Sequence, residues 1–186
     1  MKTGGLLLGI TIPLLAIVIV SAESYTLEDN WILEANLSLI PVSNPMKIEV
    51  PANEIATFSW LMFPPRAGDN ATILFISWGN YSNLDVALGI NAVTTSIFGS
   101  MASQLGATSF NTDENTRVSC LGKERYGVTA YNKTTNEAKG YYVPVTLEEN
   151  NKYYIITLWA TNTTLQRWKE FLDSISVNQT LPGSMA

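Results

Sequence analysis

Histidine is missing from all 186 residues, and cysteine occurs once, as Cys120. Without histidine the chain has no general base that titrates near neutral pH, lacks the commonest zinc and haem ligand, and cannot form a Ser-His or Cys-His nucleophile pair. A single cysteine cannot form an internal disulfide, so the fold rests on its core. That usage suits export in a prokaryote, an archaeon above all, better than an extracellular eukaryotic domain. Charge is scarce as well, at 15% of residues, with eleven Lys or Arg against sixteen Asp or Glu. The resulting net charge of −5 repels a phosphate backbone. Arg117, Lys123 and Arg125 are interrupted by Glu124, so nucleic acid is excluded as a partner. Hydrophobic residues, by contrast, make up 46% of the chain, which is the composition of a folded domain.

One stretch has no charge at all. Thr3 to Ala22 lie between Lys2 and Glu23, and Leu6 to Val20 form an apolar run. A basic start, an apolar run and Val20-Ser21-Ala22 make a signal peptide cleaved before Glu23. The same residues as a helix reach about 30 Å, enough to serve as a transmembrane helix if uncleaved. Lys2 precedes the run and Glu23, Glu28, Asp29 and Glu34 follow it, so the N-terminus is expected inside and the domain outside the cytoplasm. Residues 1–22 are thus read as signal peptide or membrane anchor, 23–45 as an extended stalk or edge strand, 46–178 as the domain, and 179–186 as a tail.

Export gives meaning to six Asn-x-Ser/Thr sequons, at Asn36, Asn70, Asn80, Asn132, Asn162 and Asn178. Each is an acceptor site for N-glycosylation in an exported glycoprotein, and each is equally the Asn of an ordinary turn or cap.

Alternation and turn residues predict strands at Lys47–Val50, Ala56–Phe63 and Thr72–Trp78, the last two pairing as a hairpin across Arg66-Ala-Gly-Asp-Asn70. Ser82 and Asp85 form a variant capping box. The helix after it places Leu84, Ala87, Ile90, Val93, Ile97, Met101 and Leu105 on the sheet and Asn91, Thr94, Thr95 and Gln104 outside, with Gly106 as its stop. A meander follows at Arg117–Leu121, Arg125–Tyr131 and Tyr141–Leu147. Tyr153–Trp159 is apolar enough to be a central strand covered on both faces. Leu165, Trp168, Phe171, Leu172 and Ile175 then make the stripe of a second amphipathic helix. The expected fold is α+β: an antiparallel sheet with helices packed on it, preceded by the N-terminal apolar helix.

The elements "FSWLMFPP", "LDVALGINAVTTSIFGSMASQLG" and "YYIITLWATNTTLQRWKEFLDSI", in that order around a meander, resemble the PsbP-like family. The likeness covers about residues 46 to 177. It implies an α/β/α sandwich and an accessory, binding or scaffolding role, and carries over no catalytic residue; the Pro-x-x-Trp start of that family is replaced by Pro64-Pro65-Arg66.

Candidate chemistry is thin. "NTDENT" (Asn111 to Thr116) alternates oxygen donors like the start of a calcium loop, but Thr116 stands where glycine is required and Gly122 where the bidentate Glu belongs. Glu148 and Glu149 are neighbours in a turn, not carboxyls converging across a cleft. Cys120 reads as a buried thiol. Trp31 stands apart from the other tryptophans in an acidic segment, and reads as an interface residue for a membrane or a partner's groove. No catalytic residue, metal site or cofactor is expected. The expected function is a non-catalytic, membrane-tethered extracytoplasmic accessory or cell-surface protein that binds another protein of a membrane or envelope assembly. The alternatives are a secreted module binding a small ligand or glycan, and a filament subunit whose Tyr25 to Pro45 segment inserts as a strand into a neighbour.

Overall fold

The computed structural model describes residues 22–27, 31–50, 56–69, 71–81, 84–112, 116–149 and 152–179. Five strands come first: β1 (Glu23–Thr26), β2 (Trp31–Ala35), β3 (Met46–Val50), β4 (Ala56–Phe63) and β5 (Leu74–Tyr81). Helix α1 (Leu84–Gln104) leads to β6 (Ser109–Asn111), β7 (Arg117–Cys120), β8 (Lys123–Tyr126) and β9 (Val128–Asn132). The long hairpin strands β10 (Glu137–Glu149) and β11 (Lys152–Thr161) follow, then α2 (Leu165–Asp173) and β12 (Ser176–Gln179).

The apolar run of β11 becomes the middle of a seven-stranded antiparallel sheet of order β3-β4-β5-β11-β10-β9-β6. Every residue from Tyr154 to Ala160 is buried, because both faces of the sheet are covered. The hairpin expected between β4 and β5 forms, with Trp60 opposite Ser77 and Phe63 opposite Leu74.

One face of this sheet carries α1 over an aromatic row. Phe75 stacks on Trp159 at 5.1 Å, and Phe98 of α1 lies 5.6 Å from Tyr142 and 5.9 Å from Trp159. The helix comes this close because residue 140 is glycine: a Cβ there would meet Phe98 Cε2 and the Ala160 carbonyl oxygen, each at 2.9 Å. The C-terminus of α1 is closed by Gly106 at φ +92. Its N–H bonds the Ser103 carbonyl and the Ala107 N–H bonds the Ala102 carbonyl, the paired bonds of a Schellman motif.

The other face is covered by a second sheet, of order β1-β2-β12. Trp31, Leu33 and Ala35 of β2 point inward with period two, and Trp31 packs 5.1 Å from Trp78 and 5.3 Å from Tyr154. Helix α2 enters the same core beside it through Trp168, Phe171 and Leu172, as do Val118 and Cys120 of the two-stranded ribbon β7-β8.

The expected α+β fold, an α/β/α sandwich with helices packed on a sheet, is therefore corrected. The chain is mostly strand, in three antiparallel sheets. The layer where that architecture needs helices is built by β1, β2 and β12. Helix α2 has nine residues, about 14 Å of helix, too short to cover a seven-stranded face. The stretch expected as a stalk or edge strand supplies β1 at the edge of the small sheet and β2 at its centre, where Val177 of β12 pairs with Leu33. Because this segment pairs within its own chain, strand insertion into a neighbour, and with it the filament reading, loses its basis. The transmembrane expectation is not met among the described residues, where no helix is long and apolar enough to cross a membrane. The run it rested on, up to Ser21, lies outside the described residues.

Candidate functional site

Helix α1 is turned on the sheet relative to its apolar spacing. Thr94 is fully buried while Val93 is 49% exposed, the reverse of the expected arrangement. Hydrogen bonds across the interface explain the rotation. The Tyr142 hydroxyl donates to Asn91 Oδ1 and lies 2.8 Å from Thr95 Oγ1, and Thr94 Oγ1 lies 3.4 Å from Thr157 Oγ1 of β11. Polar groups on a sheet must be paired when covered, and the helix residues able to pair with Tyr142 and Thr157 are Asn91, Thr94 and Thr95.

The rotation leaves apolar residues outside. Leu88 is 53% exposed and Val93 49%, with Gly89 and Ala92 exposed between them. Along its 21 residues α1 carries one charge, Asp85. Phe110 of the edge strand β6 shares this side, 6.3 Å from Phe98 and 49% exposed. At the opposite sheet edge Met46 pairs with Met62, which packs against the core beneath α1, so Met46, half exposed, faces the same way. The remaining large exposed hydrophobic among the described residues is Tyr126. It sits on the ribbon with the Arg117 guanidinium 5.5 Å above its ring.

A cleft lies on the other side of the molecule, where the seven-stranded sheet extends beyond the small one. Asn111, Thr129 and Tyr141 stand in one rung across β6, β9 and β10, and Tyr131 and Ala138 in a neighbouring rung. These residues, with Thr116, Asn136 and Leu165, line a lobe of about 230 Å³ in which no side chain is charged. A second lobe of about 380 Å³ shares Ala138, Tyr141 and Leu165 with the first and runs past Glu137 and Arg167 to Asn162, Thr163 and Thr164. Tyr141 is fixed at the junction: it stacks on Trp168 at 6.4 Å, and its burial raises the phenol above its ordinary value. Asn136 and Asn162, at the two ends, have φ of +57 and +49, a conformation asparagine tolerates better than most residues. At the rim Glu137 is paired with Lys139 at 2.7 Å.

The residues singled out from the sequence do not gather at this cleft. Trp31, expected at an interface, is 7% exposed in the core, because Trp31, Leu33 and Ala35 alternate inward along β2; it is corrected from interface to core. Asn36 caps a 3-10 turn and accepts the backbone and hydroxyl hydrogens of Ser38. Asn132 is engaged through both ends of its amide, donating to the Gly106 carbonyl and accepting from Thr134 and Thr135. Asn162 and Asn178 are exposed, Asn80 lies in β5, and Asn70 falls outside the described residues. Among the described residues of the six sequons, Asn162 is the asparagine that lines the cleft.

Burial pushes the Cys120 thiol up to about 12, against a smaller opposing effect of Arg125. At neutral pH it is a protonated thiol inside the core, not a nucleophile. The Arg125 Nε and Nη2 atoms are buried without a hydrogen-bond partner. Glu148 and Glu149 end β10 opposite Tyr153 and Lys152; of the "NTDENT" segment, residues 113–115 lie outside the described residues. No three acidic or cysteine side chains come together as a metal site among the described residues.

Sequence reasoning missed both surfaces. Thr129 and Tyr131 carry the one local signal of the cleft, polar side chains on a face of β9 whose intervening residue Ala130 is fully buried. Compared with known proteins, the chain matches no family model and no curated protein.

Proposed function

We propose that the protein is a non-catalytic extracytoplasmic accessory or cell-surface protein that binds another protein of a membrane or envelope assembly through the α1 face. One observation carries this reading: Met46, Leu88, Val93 and Phe110, four of the five large exposed hydrophobics of the described residues, lie on that face. Large apolar side chains exposed together on one side of a molecule mark interaction sites. Helix α1 is about 31 Å long, comparable with the breadth of the patch of roughly 800 Å² that each partner contributes to a specific complex. With Asp85 its single charge, α1 calls for a partner surface that is apolar and uncharged. The buried, protonated Cys120 and the lack of histidine support a binding role over catalysis. Export rests on the uncharged N-terminal run and the acidic residues that follow it.

A photo-crosslinking residue placed singly at Leu88, Val93 and Phe110, with Ser119 and Glu170 as controls elsewhere, tests the face in producing cells. Adducts of one defined mass from the three α1-side positions, and none from the controls, are expected. Equal yields from all five positions, or adducts from none, overturn the reading, and an adduct of twice the mass of the uncrosslinked protein in the same cells replaces the foreign partner with a second copy. Protease added to intact cells checks location: a protected domain contradicts export.

A further inference from the structure

We propose that the cleft beside Tyr141 is a binding site for a neutral, hydroxyl-rich small molecule of the sugar class. It lies on the side of the large sheet away from α1 and is independent of the partner surface. Three observations converge on this ligand chemistry. The first lobe is lined by neutral side chains, so it holds nothing to attract an anion or a cation. Its polar groups are amides and hydroxyls, from Asn111, Thr129, Tyr131 and Asn136, which both donate and accept and so match the dual character of a sugar hydroxyl. Apolar surface from Tyr141 and Leu165 stands among them, as the C–H face of a sugar ring requires.

The site is also preformed. Asn111, Thr129 and Tyr141 are held in register by the β6-β9-β10 ladder, and Tyr141 is stacked on Trp168. A rigid floor loses little freedom when a ligand is bound. The lobes, about 230 and 380 Å³, together fall within the usual range of small-molecule clefts. A purely apolar ligand is disfavoured, since it would strip water from the amides and hydroxyls without replacing their hydrogen bonds.

Amide-resolved NMR titration of the full chain with methyl β-D-glucopyranoside, methyl α-D-mannopyranoside and N-acetylglucosamine, with sodium phosphate as the anionic control, tests the assignment. Saturable shifts at Asn111, Thr129 to Tyr131 and Asn136 to Tyr141 are expected with at least one sugar. Tyr131→Ala should weaken that binding at least about tenfold. Asn136→Gly, which keeps the positive φ at an exposed turn, should weaken it as well while leaving the thermal transition unchanged, so a folding defect in the first variant does not blunt the test. No saturable shift with any sugar overturns the proposal. So do stronger shifts with phosphate at these residues, or sugar shifts that persist undiminished in Asn136→Gly.

Discussion

Helix α2 puts Trp168, Phe171 and Leu172 into the core and Gln166, Arg167, Glu170 and Asp173 into solvent. Helix α1 puts Thr94 and Phe98 against the sheet and Leu88, Ala92 and Val93 into solvent. In α2 the hydrophobic effect alone selects the buried face. The Gln166 amide donating to Glu170 at 2.6 Å is a surface contact of the i, i+4 kind. In α1 apolar residues occur all round, and the choice of face passes to hydrogen bonds with Tyr142 and Thr157 and to the fit of Phe98 over Gly140. The outer side of α1 mixes Leu88, Ala92 and Val93 with the hydroxyls of Thr95, Ser96 and Ser100 and carries one charge, Asp85, a surface that costs little to cover. That difference is the physical content of the proposed partner surface.

The comparison is tested first from inside, where the two helices should behave alike. Phe98→Ala and Trp168→Ala each remove a side chain that is 1% exposed. Each should lower the free energy of unfolding by about 3–5 kcal/mol, read from urea denaturation. A loss under about 1 kcal/mol for Phe98→Ala would mean that α1 is not seated on the sheet as described.

The second test separates the two faces of the sheet by pH. Cys120 lies in the core on the α2 side, with its thiol raised by burial from an ordinary 9 to about 12. A folded-state value above the unfolded one contributes stability that is complete below about pH 9 and is lost as pH rises toward 12. The slope approaches about 1.4 kcal/mol per pH unit. Tyr25, Tyr141 and Tyr142 are raised by burial as well, and their share of the loss grows as pH nears their ordinary value of 10. Between about pH 9 and 10 the fall should therefore shrink in Cys120→Ala and shrink less in Tyr142→Phe. An unchanged fall in Cys120→Ala would place the titrating group elsewhere.

Tyr142→Phe asks about α1 alone, since α2 is seated without such a pin. Removing the hydroxyl leaves Asn91 Oδ1 without its donor and should destabilise the protein by about 1–2 kcal/mol. Hydrogen exchange should quicken along α1 while remaining unchanged in α2. A uniform change in both helices would show that the polar contacts do not hold α1 in particular.

The same contrast explains what could be read from the sequence. The stripe of α2, the run of β11 and the β4-β5 hairpin follow from local patterns, because their neighbours are close in sequence or their periodicity is strong. The rotation of α1 could not be read: Val93 and Thr94 are one step apart on the helix, and the decision between them is made by Tyr142 and Thr157, about 50 to 60 residues away. The small sheet was hidden for a similar reason. Inward alternation of Trp31, Leu33 and Ala35 is present in the sequence, but the strand that completes the pairing, β12, is the last described element of the chain. Broken by Pro41 and Pro45, residues 23–45 read locally as a stalk or edge strand, since nothing nearby in the chain completes their sheet. The cleft is assembled from β6, β9, β10 and the start of α2, no two of its side chains forming a motif.

The smallest effect on stability carries the sharpest test of the comparison. Val93→Lys on α1 and Asp173→Lys on α2 both put an ammonium group on a solvent-facing helix position. In the isolated protein neither should change the free energy of unfolding by more than about 0.5 kcal/mol, since exposed substitutions seldom do. In producing cells they should part. A lysine at 93 stands in the middle of an apolar contact and must be desolvated unpaired when a partner docks, so the Leu88 and Phe110 crosslinks should vanish. Asp173→Lys should leave them at full yield. If both variants retain the crosslinks, the apolar outside of α1 is ordinary exposed surface, and the difference between the helices reduces to how each is seated on the core.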